Sequence, residues 1–213
     1  MYLENPSAYF ITRLGLHVGN NDKGGAVIEA ATIVDALHYI LSRVKKSGKI
    51  KLIKLVYLAD KYHLLRYGRT VTNDDYYAME RGPVGTTVKD VLSLDKEMLA
   101  KEYTYISRLI GKDGDNYVAN AVAHLQYDHL SDTDKEALDF VIATFGKKTG
   151  AQLTTYTHKY PEWAQHEHLF KGNTIRRVRI EPEELLSVID DNCFGVSPEH
   201  VEESRKMVTG VFH

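Results

Sequence analysis

Histidine and cysteine are the residues of this 213-residue chain that first suggest metal or nucleophile chemistry. Three of its ten histidines lie in the segment THKYPEWAQHEH, as His158, His166 and His168. On a helix, His166 and His168 would point to nearly opposite sides, whereas two metal ligands on one helix need a spacing of three or four residues. Cys193 is the single cysteine, so neither an internal disulfide nor a thiolate zinc site can form. The sequence therefore predicts no metal site and no cofactor.

Motifs for covalent catalysis and phosphoryl transfer are also missing from the sequence. It contains no GxSxG motif, and Cys193 has no histidine close to it in sequence. The segment FGKKTG, residues 145–150, is not a Walker loop, because Val141 stands where that loop requires its first glycine. The adjacent acids Asp74 and Asp75 would diverge in a regular element, so they fit helix or turn caps better than a general acid and base. We therefore predict that the protein is not an enzyme.

Charge and hydropathy limit the class of partner. The net charge of −2 gives no general attraction for nucleic acid. The lysines between residues 45 and 54 fit the end of one helix and the solvated side of the next, so nucleic acid is an unlikely partner and a DNA-binding repressor is the last alternative. No apolar run approaches membrane-spanning length, and the N-terminus lacks a basic region followed by an apolar core. We expect a cytoplasmic protein with no membrane partner.

Hydrophobic periodicity predicts that helices position most of the side chains. Apolar residues spaced three or four apart from Val27 to Val44 predict an amphipathic helix. In KIKLIKLVYLADKYHLLRYG, residues 49–68, apolar residues cover most of a helix circumference and leave Lys51, Lys54 and Lys61 as a narrow polar strip. That pattern is typical of a central helix packed on several sides and closed by its final glycine.

Capping signals predict further helices in the second half of the chain. Ser131 with Asp134, and Thr149 with Gln152, fit capping boxes, and Gly146 fits a left-handed helix stop between them. Prolines can open helices at Pro161 and in the segments PEELLSVIDD and PEHVEESRKMVTG. The segment EYTYISRLIGKDGDNYVANAV, residues 102–122, alternates aromatic and β-branched with polar residues around a Gly-Lys-Asp-Gly turn, which predicts a β-hairpin.

The fold class predicted from these elements is mostly α within the α+β class. We expect a compact helical bundle with a small β-hairpin and an extended Tyr-x-Ala-Met…Gly-Pro-Val corner. In that corner, DDYYAMERGPVGTTVKDV at residues 74–91, glycine before Pro83 favours a bend, and Thr86 could cap a helix that follows. Tyr76, Met79 and Arg81 are residue types enriched where proteins meet. The corner is therefore either a structural turn or a surface presented to a partner.

Residues 51–84, KLIKLVYLADKYHLLRYGRTVTNDDYYAMERGPV, resemble the SocA-like antitoxin family, also called the Panacea domain. The segments LSDTDKEALDFVIATFG and LTTYTHKYPEW are similar to two later motifs of that family, in the same order. Seven residues after the glycine of Gly-Pro-Val, the family often carries an aromatic residue, whereas this chain has Lys89. An appended helix-turn-helix is not evident either. The residues that carry the resemblance are Lys54, Leu55, Tyr57, Leu58, Ala59, Asp60, Tyr77, Ala78, Gly82, Pro83, Val84, Leu153, Thr157, His158, Pro161 and Trp163.

The resemblance implies a cytoplasmic antitoxin, encoded by a bacterium or a prophage, that neutralises a cognate protein toxin by direct binding. It also implies a domain at residues 27–170, between an N-terminal extension (residues 1–26) and a C-terminal helical extension (residues 171–213). The residues that we expect to bind the toxin are Lys54, Asp60, His63, Tyr76, Met79, Arg81 and Val84. The family-motif residues that we expect to be structural are Tyr57, Tyr77, Gly82, Pro83, Thr157, His158, Pro161 and Trp163.

Two alternatives remain open at this point. One is an adaptor that delivers the toxin to a protease, for which the tail SPEHVEESRKMVTGVFH would supply the second binding element. The other is a small enzyme acting on a phosphorylated or nucleotide substrate. That enzyme would need Lys54, Asp60, His63 and His158 to converge on one cavity.

Overall fold

The computed structural model describes residues 30–97, 99–171 and 175–210, and helices dominate it. The predicted extension at residues 1–26, and Val27 with it, lie outside the described residues. The predicted mostly α fold of the α+β class is confirmed. The helices are α1 (Ala30–Val44), α2 (Lys49–Tyr67), α3 (Thr86–Val91), α4 (Tyr103–Leu109), α5 (Asp132–Phe145), α6 (Gly150–Thr157), α7 (Pro161–Ala164), α8 (Glu167–Phe170) and α9 (Pro198–Thr209).

Helix α2 is the central helix that the sequence predicts. Every residue from Leu52 to Leu65 is buried, because α1, α5, α6 and α9 all pack against it. Gly68 ends the helix with a left-handed φ of 68° and donates its backbone N–H to the Leu64 carbonyl. The predicted polar strip is wrong, since Lys54 and Lys61 are buried and only Lys51 is partly exposed. Both buried ammonium groups find acceptors inside the protein, which makes their burial possible.

The capping signals around α5 and α6 are confirmed except at the glycine between them. The Ser131 and Thr149 side chains each accept from the backbone N–H three residues later, and both capping boxes are complete. Gly146, however, has a right-handed φ of −59°, so it is not a left-handed stop. A Cβ atom at Gly146 would collide with the Ile142 carbonyl oxygen. Glycine is therefore needed at this position for space and not for its backbone angle.

Within the part of the chain that the structure describes, six short strands form two antiparallel sheets of three strands each. In the first sheet, β1 (Ser47–Gly48) pairs with β5 (Asn116–Ala119), which forms a hairpin with β4 (Ile110–Asp113). The predicted hairpin is confirmed over β4 and β5. It is wrong over residues 103–109, which form α4. Ile106 and Leu109, three residues apart, bury one side of that helix, so the aromatic alternation in front of them was misleading.

The second sheet joins the Gly-Pro-Val corner to the C-terminal third of the chain. It has the order β3 (Gly82–Gly85), β2 (Tyr76–Met79) and β6 (Arg177–Ile180). Helix α3 follows β3 directly, as expected, but it ends at Val91. Thr86 does not cap it. The Asp74 carboxylate instead accepts the backbone N–H groups of Thr87 and Val88, at 3.0 and 2.9 Å.

The segments after Phe170 pack into the same core as the helices before it. Leu185, Leu186 and Phe194 are buried in that core, and the Ser204 hydroxyl of α9 donates to the Leu65 carbonyl of α2. The proline-led segment at Pro198 forms α9 as predicted, whereas PEELLSVIDD forms only a 3₁₀ turn at Glu184–Leu186. A domain boundary at residue 170 stays a prediction. Across the described ranges, no helix has the length and apolar character needed to cross a bilayer.

Candidate binding site at the Gly-Pro-Val corner

The corner is the turn of a β-hairpin, with Glu80 and Arg81 between β2 and β3. Gly82 begins β3 with a φ of +98°, which L side chains rarely adopt. A Cβ atom at Gly82 would lie 2.5 Å from Lys54 Nζ and 3.1 Å from the His158 ring. Glycine is therefore required at this position, both for its backbone angle and for the space that it leaves to two neighbouring side chains.

Lys54 lies beneath the corner and is only 1% exposed. Its Nζ donates a hydrogen bond of 2.7 Å to the Pro83 carbonyl, which ties α2 to the turn. Burial lowers the pKa of Lys54 from 10.5 to about 7, because the charged form loses its hydration. An ammonium group has three donors, and the Pro83 carbonyl is its single acceptor among the described residues.

His158 and Trp163 hold the other side of the turn. Their rings stack, with centroids 3.4 Å apart and an angle of 11° between the planes. The indole Nε1 donates a hydrogen bond of 2.7 Å to the Met79 carbonyl at the end of β2. Burial, and then the nearby charge of Lys54, lower the pKa of His158. Within the described ranges, the buried His158 Nε2 has no hydrogen-bond partner.

A cleft of about 740 Å³ opens beside the corner, and it is strongly cationic. Four of the seven residues expected to bind a toxin line it, and Ile50 and Ile53 extend its apolar wall beside Met79 and Val84. Arg81 is the exposed member of the four; Lys54 and Val84 are buried and Met79 is half-buried. The charged residues that line the cleft are Lys46, Lys49, Lys51, Lys54, Arg81, Lys89, Arg176 and Glu80.

Asp60 and Tyr76, two further residues expected to bind a toxin, lie behind the corner and are buried. The Asp60 carboxylate accepts hydrogen bonds from the backbone N–H groups of Val71 and Thr72, each at 2.9 Å, and from the Thr72 hydroxyl. The Tyr76 hydroxyl donates to the same carboxylate at 2.7 Å. Burial raises the pKa of Asp60 to about 7, and the Thr72 and Tyr76 hydrogen bonds partly oppose that shift. This cluster joins β2 to α2, and any effect on binding would pass through the surface that it supports.

His63 lies further along α2, away from the cleft. Its Nδ1 is 2.8 Å from the Arg69 carbonyl, and its Nε2 is 3.0 Å from the Thr133 hydroxyl and 3.2 Å from the Asp134 carboxylate. Burial lowers the pKa of His63. Of the four residues that the enzyme alternative requires, only Lys54 lines the cleft, so the four do not converge there.

The remaining family-motif residues support the corner or the helices next to it. Tyr77 lies opposite Val84 and Arg179 in the second sheet, with the Arg177 guanidinium 4.9 Å from its ring centroid. Thr157 is fully buried at the end of α6, and Pro161 begins α7.

One buried ion pair could not be found from the sequence. The Lys61 ammonium lies 2.6 Å from Glu162 Oε1, and both side chains are fully buried. The Tyr57 hydroxyl donates to the same oxygen at 2.5 Å, and the Lys61 ammonium also donates to the Leu185 carbonyl. The partners come from α2 and α7, 101 residues apart, so no local pattern marks them.

Comparison with protein-family models gives a match. A family model described as "antitoxin SocA-like, Panacea domain" matches residues 52–164, which is more than half of the chain. The matched range contains α2 from Leu52 onward, the corner and α7. The first three residues of α2, which line the cleft, precede it. No curated protein and no solved structure matches the chain.

Proposed function

Because the chain belongs to the SocA-like antitoxin family, we propose that it neutralises a partner toxin by direct protein–protein binding at the corner. The family supports an antitoxin role, and an antitoxin implies a toxin as its partner. The observation that supports binding at the corner is the arrangement around Arg81. This exposed cation lies at the turn of the β2–β3 hairpin, beside the half-buried Met79 and above an apolar wall. Arginine and methionine around an apolar centre are typical of protein interfaces.

The hairpin turn is held on both sides before any partner arrives. Lys54 binds the Pro83 carbonyl on one side, and Trp163 binds the Met79 carbonyl on the other. A surface that is already ordered loses less conformational entropy on binding, which favours affinity. Asp60 and Tyr76 join β2 to α2 behind the corner and so help to hold the hairpin in place. We propose that these two residues affect toxin binding through the position of β2.

The substitution Arg81→Glu tests this proposal. We expect it to weaken the complex with the toxin by about 100-fold, since arginine anchors at interfaces are often worth 2 kcal/mol or more and the cation is also replaced by an anion. The melting temperature should change by less than about 2 °C, because Arg81 is exposed. The toxin would be sought as the product of a reading frame adjacent to this gene. Its growth arrest and its co-purification with this chain would be measured in a bacterial host.

Arg108→Glu is a matched control, because Arg108 is an exposed cation on α4 that does not line the cleft. It should leave both toxin binding and growth rescue unchanged. If Arg81→Glu also leaves the complex intact, binding at the corner is wrong. If it lowers the melting temperature strongly, Arg81 belongs to the fold. Rescue of growth without any complex would favour the adaptor or the enzyme alternative.

A further inference from the structure

The N-terminal end of α2 opens into the cationic cleft. Gly48 precedes the helix, no side chain caps it, and its first turn contains no acid. The first backbone N–H groups of a helix lack partners within the helix, and the helix dipole adds partial positive charge at the same end. Gly48, Lys49, Ile50 and Lys51 all line the cleft. The start of a 19-residue helix therefore faces the cleft with donors and positive charge.

A buried hydroxyl beside this helix start has no partner. Ser47 lines the cleft and is 3% exposed, yet no described residue forms a hydrogen bond with its Oγ. An unpaired buried hydroxyl costs free energy, and such groups are usually satisfied by protein, water or a ligand. An acceptor bound in the cleft at the start of α2 would satisfy this group together with the helix N–H groups.

Cations crowd this end of the cleft without enough acids to neutralise them. Burial, and then the nearby charge of Lys89, lower the pKa of Lys49. Lys46 pairs with Asp113 at 2.7 Å, and the charge of Asp90 partly opposes the lowered pKa of Lys49, but Glu80 is the one acid among eight charged residues that line the cleft in the described part of the chain. Lys54 also lines the cleft, and the Pro83 carbonyl is the one acceptor that it has among the described residues. Like charges held together in a partly buried site are stabilised by a bound anion.

Part of the cleft lining is apolar. Ile50, Ile53, Met79 and Val84 form it, and the volume of about 740 Å³ lies within the range of small-molecule sites. A long nucleic acid fits this arrangement poorly, because the chain has a net charge of −2 and its cations converge on one cleft. A compact anion attached to an apolar body matches both the cationic and the apolar residues of the lining.

We propose that this cleft binds a phosphate-bearing small molecule of nucleotide size. The phosphates would lie at the start of α2, against the Ser47 hydroxyl, Lys49, Lys54 and Lys89. The organic body would lie on the wall formed by Ile53, Met79 and Val84. This site shares Lys54, Met79 and Val84 with the proposed toxin-binding surface, and nucleotide binding can be tested on the protein alone.

Calorimetric titration of the full chain at pH 7 and low salt would test the proposal. The probes are ATP, GTP, UTP, pyrophosphate and adenosine. At least one nucleotide should bind about tenfold more tightly than pyrophosphate, and adenosine should bind about 100-fold more weakly than ATP, because it lacks every phosphate contact. Raising the salt concentration should weaken nucleotide binding.

Three substitutions and one control would locate the site. Lys49→Gln and Lys89→Gln should each weaken nucleotide binding by about tenfold, and Ser47→Ala by about fivefold. Lys206→Gln is the matched control, because this lysine lies on α9 and does not line the cleft. It should leave the affinity unchanged. Circular dichroism would show whether each variant keeps the helical content of the parent protein.

Three results would overturn the proposal. The first is no saturable binding of any phosphate-bearing probe at millimolar concentration. The second is nucleotide binding that Lys49→Gln and Lys89→Gln leave unchanged. The third is binding of single-stranded oligonucleotides with an affinity that rises with their length and far exceeds the affinity for a nucleotide. That result would indicate a site for a polymer.

Discussion

Gly82 lies where a side chain would strain the backbone and collide with two neighbours. Its φ of +98° disfavours every L residue, and its Cβ would meet Lys54 Nζ and the His158 ring. We expect Gly82→Ala to lower the free energy of unfolding by about 3 kcal/mol, because the backbone strain is joined by displacement of Lys54 from the Pro83 carbonyl. Urea unfolding monitored by circular dichroism would measure it.

Gly114→Ala is the matched control for this substitution. Gly114 also has a positive φ, of 60°, but no atom lies within 4 Å of the position that its Cβ would take. We expect a cost of about 1–2 kcal/mol from the left-handed conformation alone. Equal costs at the two glycines would show that the contacts of Gly82 with Lys54 and His158 do not matter.

Lys54 should make stability depend on pH above neutrality. Its pKa is about 7 in the folded protein, against 10.5 for an ordinary lysine, so between these values the unfolded chain holds a proton that the folded chain does not. The free energy of unfolding therefore rises with pH between about 7 and 10.5. Stability from the uncharged Lys54 is fully present above about pH 10.5 and is lost as the pH falls toward 7, a total change of about 5 kcal/mol.

The substitution Lys54→Met isolates this contribution. We expect the free energy of unfolding of the parent protein to rise more steeply from pH 7 to pH 9 than that of the variant, by about 1 kcal/mol per pH unit. Urea unfolding at pH 7, 8 and 9 would give both slopes. Parallel slopes would mean that Lys54 keeps an ordinary pKa in the folded state.

At the scale of elements, the Lys61–Glu162 pair connects α2 to α7. Lys61→Met would leave the buried Glu162 carboxylate without its cation. Among the described residues, the hydroxyl groups of Tyr57 and Ser187 would be the donors left to it. We expect a loss of about 3–5 kcal/mol in the free energy of unfolding, because an unpaired buried charge is costly. Urea unfolding would measure this loss.

The double variant Lys61→Met/Glu162→Gln provides the comparison. It removes both charges together, so it should recover most of the stability that the single variant loses. A single variant that loses less than about 1 kcal/mol would show that water or a rearrangement compensates the carboxylate.

The elements that were predicted correctly depend on neighbouring residues, and those that were missed depend on distant ones. The capping boxes at Ser131 and Thr149 are complete within three residues, so the sequence contains all that they need. Helix α4 was predicted as a strand. Local alternation favoured a strand, whereas the buried side of α4 is decided by its packing against α1. The 3₁₀ turn at Glu184–Leu186 is likewise shorter than its proline-led pattern indicates.

At the scale of the whole molecule, the C-terminal third completes the core and the second sheet. Strand β6 pairs with β2 behind the corner, and Phe194 packs among the rings of Tyr62, Phe140 and Tyr160. Deleting the segments after residue 170 would therefore expose apolar surface. For this reason the adaptor alternative is better examined with substitutions on the exposed side of α9 than by truncation, and such substitutions should leave toxin binding intact.

The candidate site was partly predictable from the sequence. The Gly-Pro-Val corner and the family motifs identified Lys54, Met79, Arg81 and Val84, all of which line the cleft. The exposure of these residues was not predictable, and neither was the internal bonding of Asp60, Tyr76 and His63. Polar side chains with family-motif spacing can lie on the surface or be paired inside, and only their distant partners distinguish the two.

The sequence by itself determined the central helix, its glycine stop, the capping boxes, the hairpin at β4 and β5, and the family. Each of these is specified by residues within a few turns of each other, or by motifs whose order along the chain is visible. The tertiary structure decided that Lys54 and Lys61 are buried and that Lys49, Lys89 and Arg176 converge on one cleft. Burial and convergence depend on contacts between residues far apart in the chain, and such contacts are specified by packing of the whole molecule.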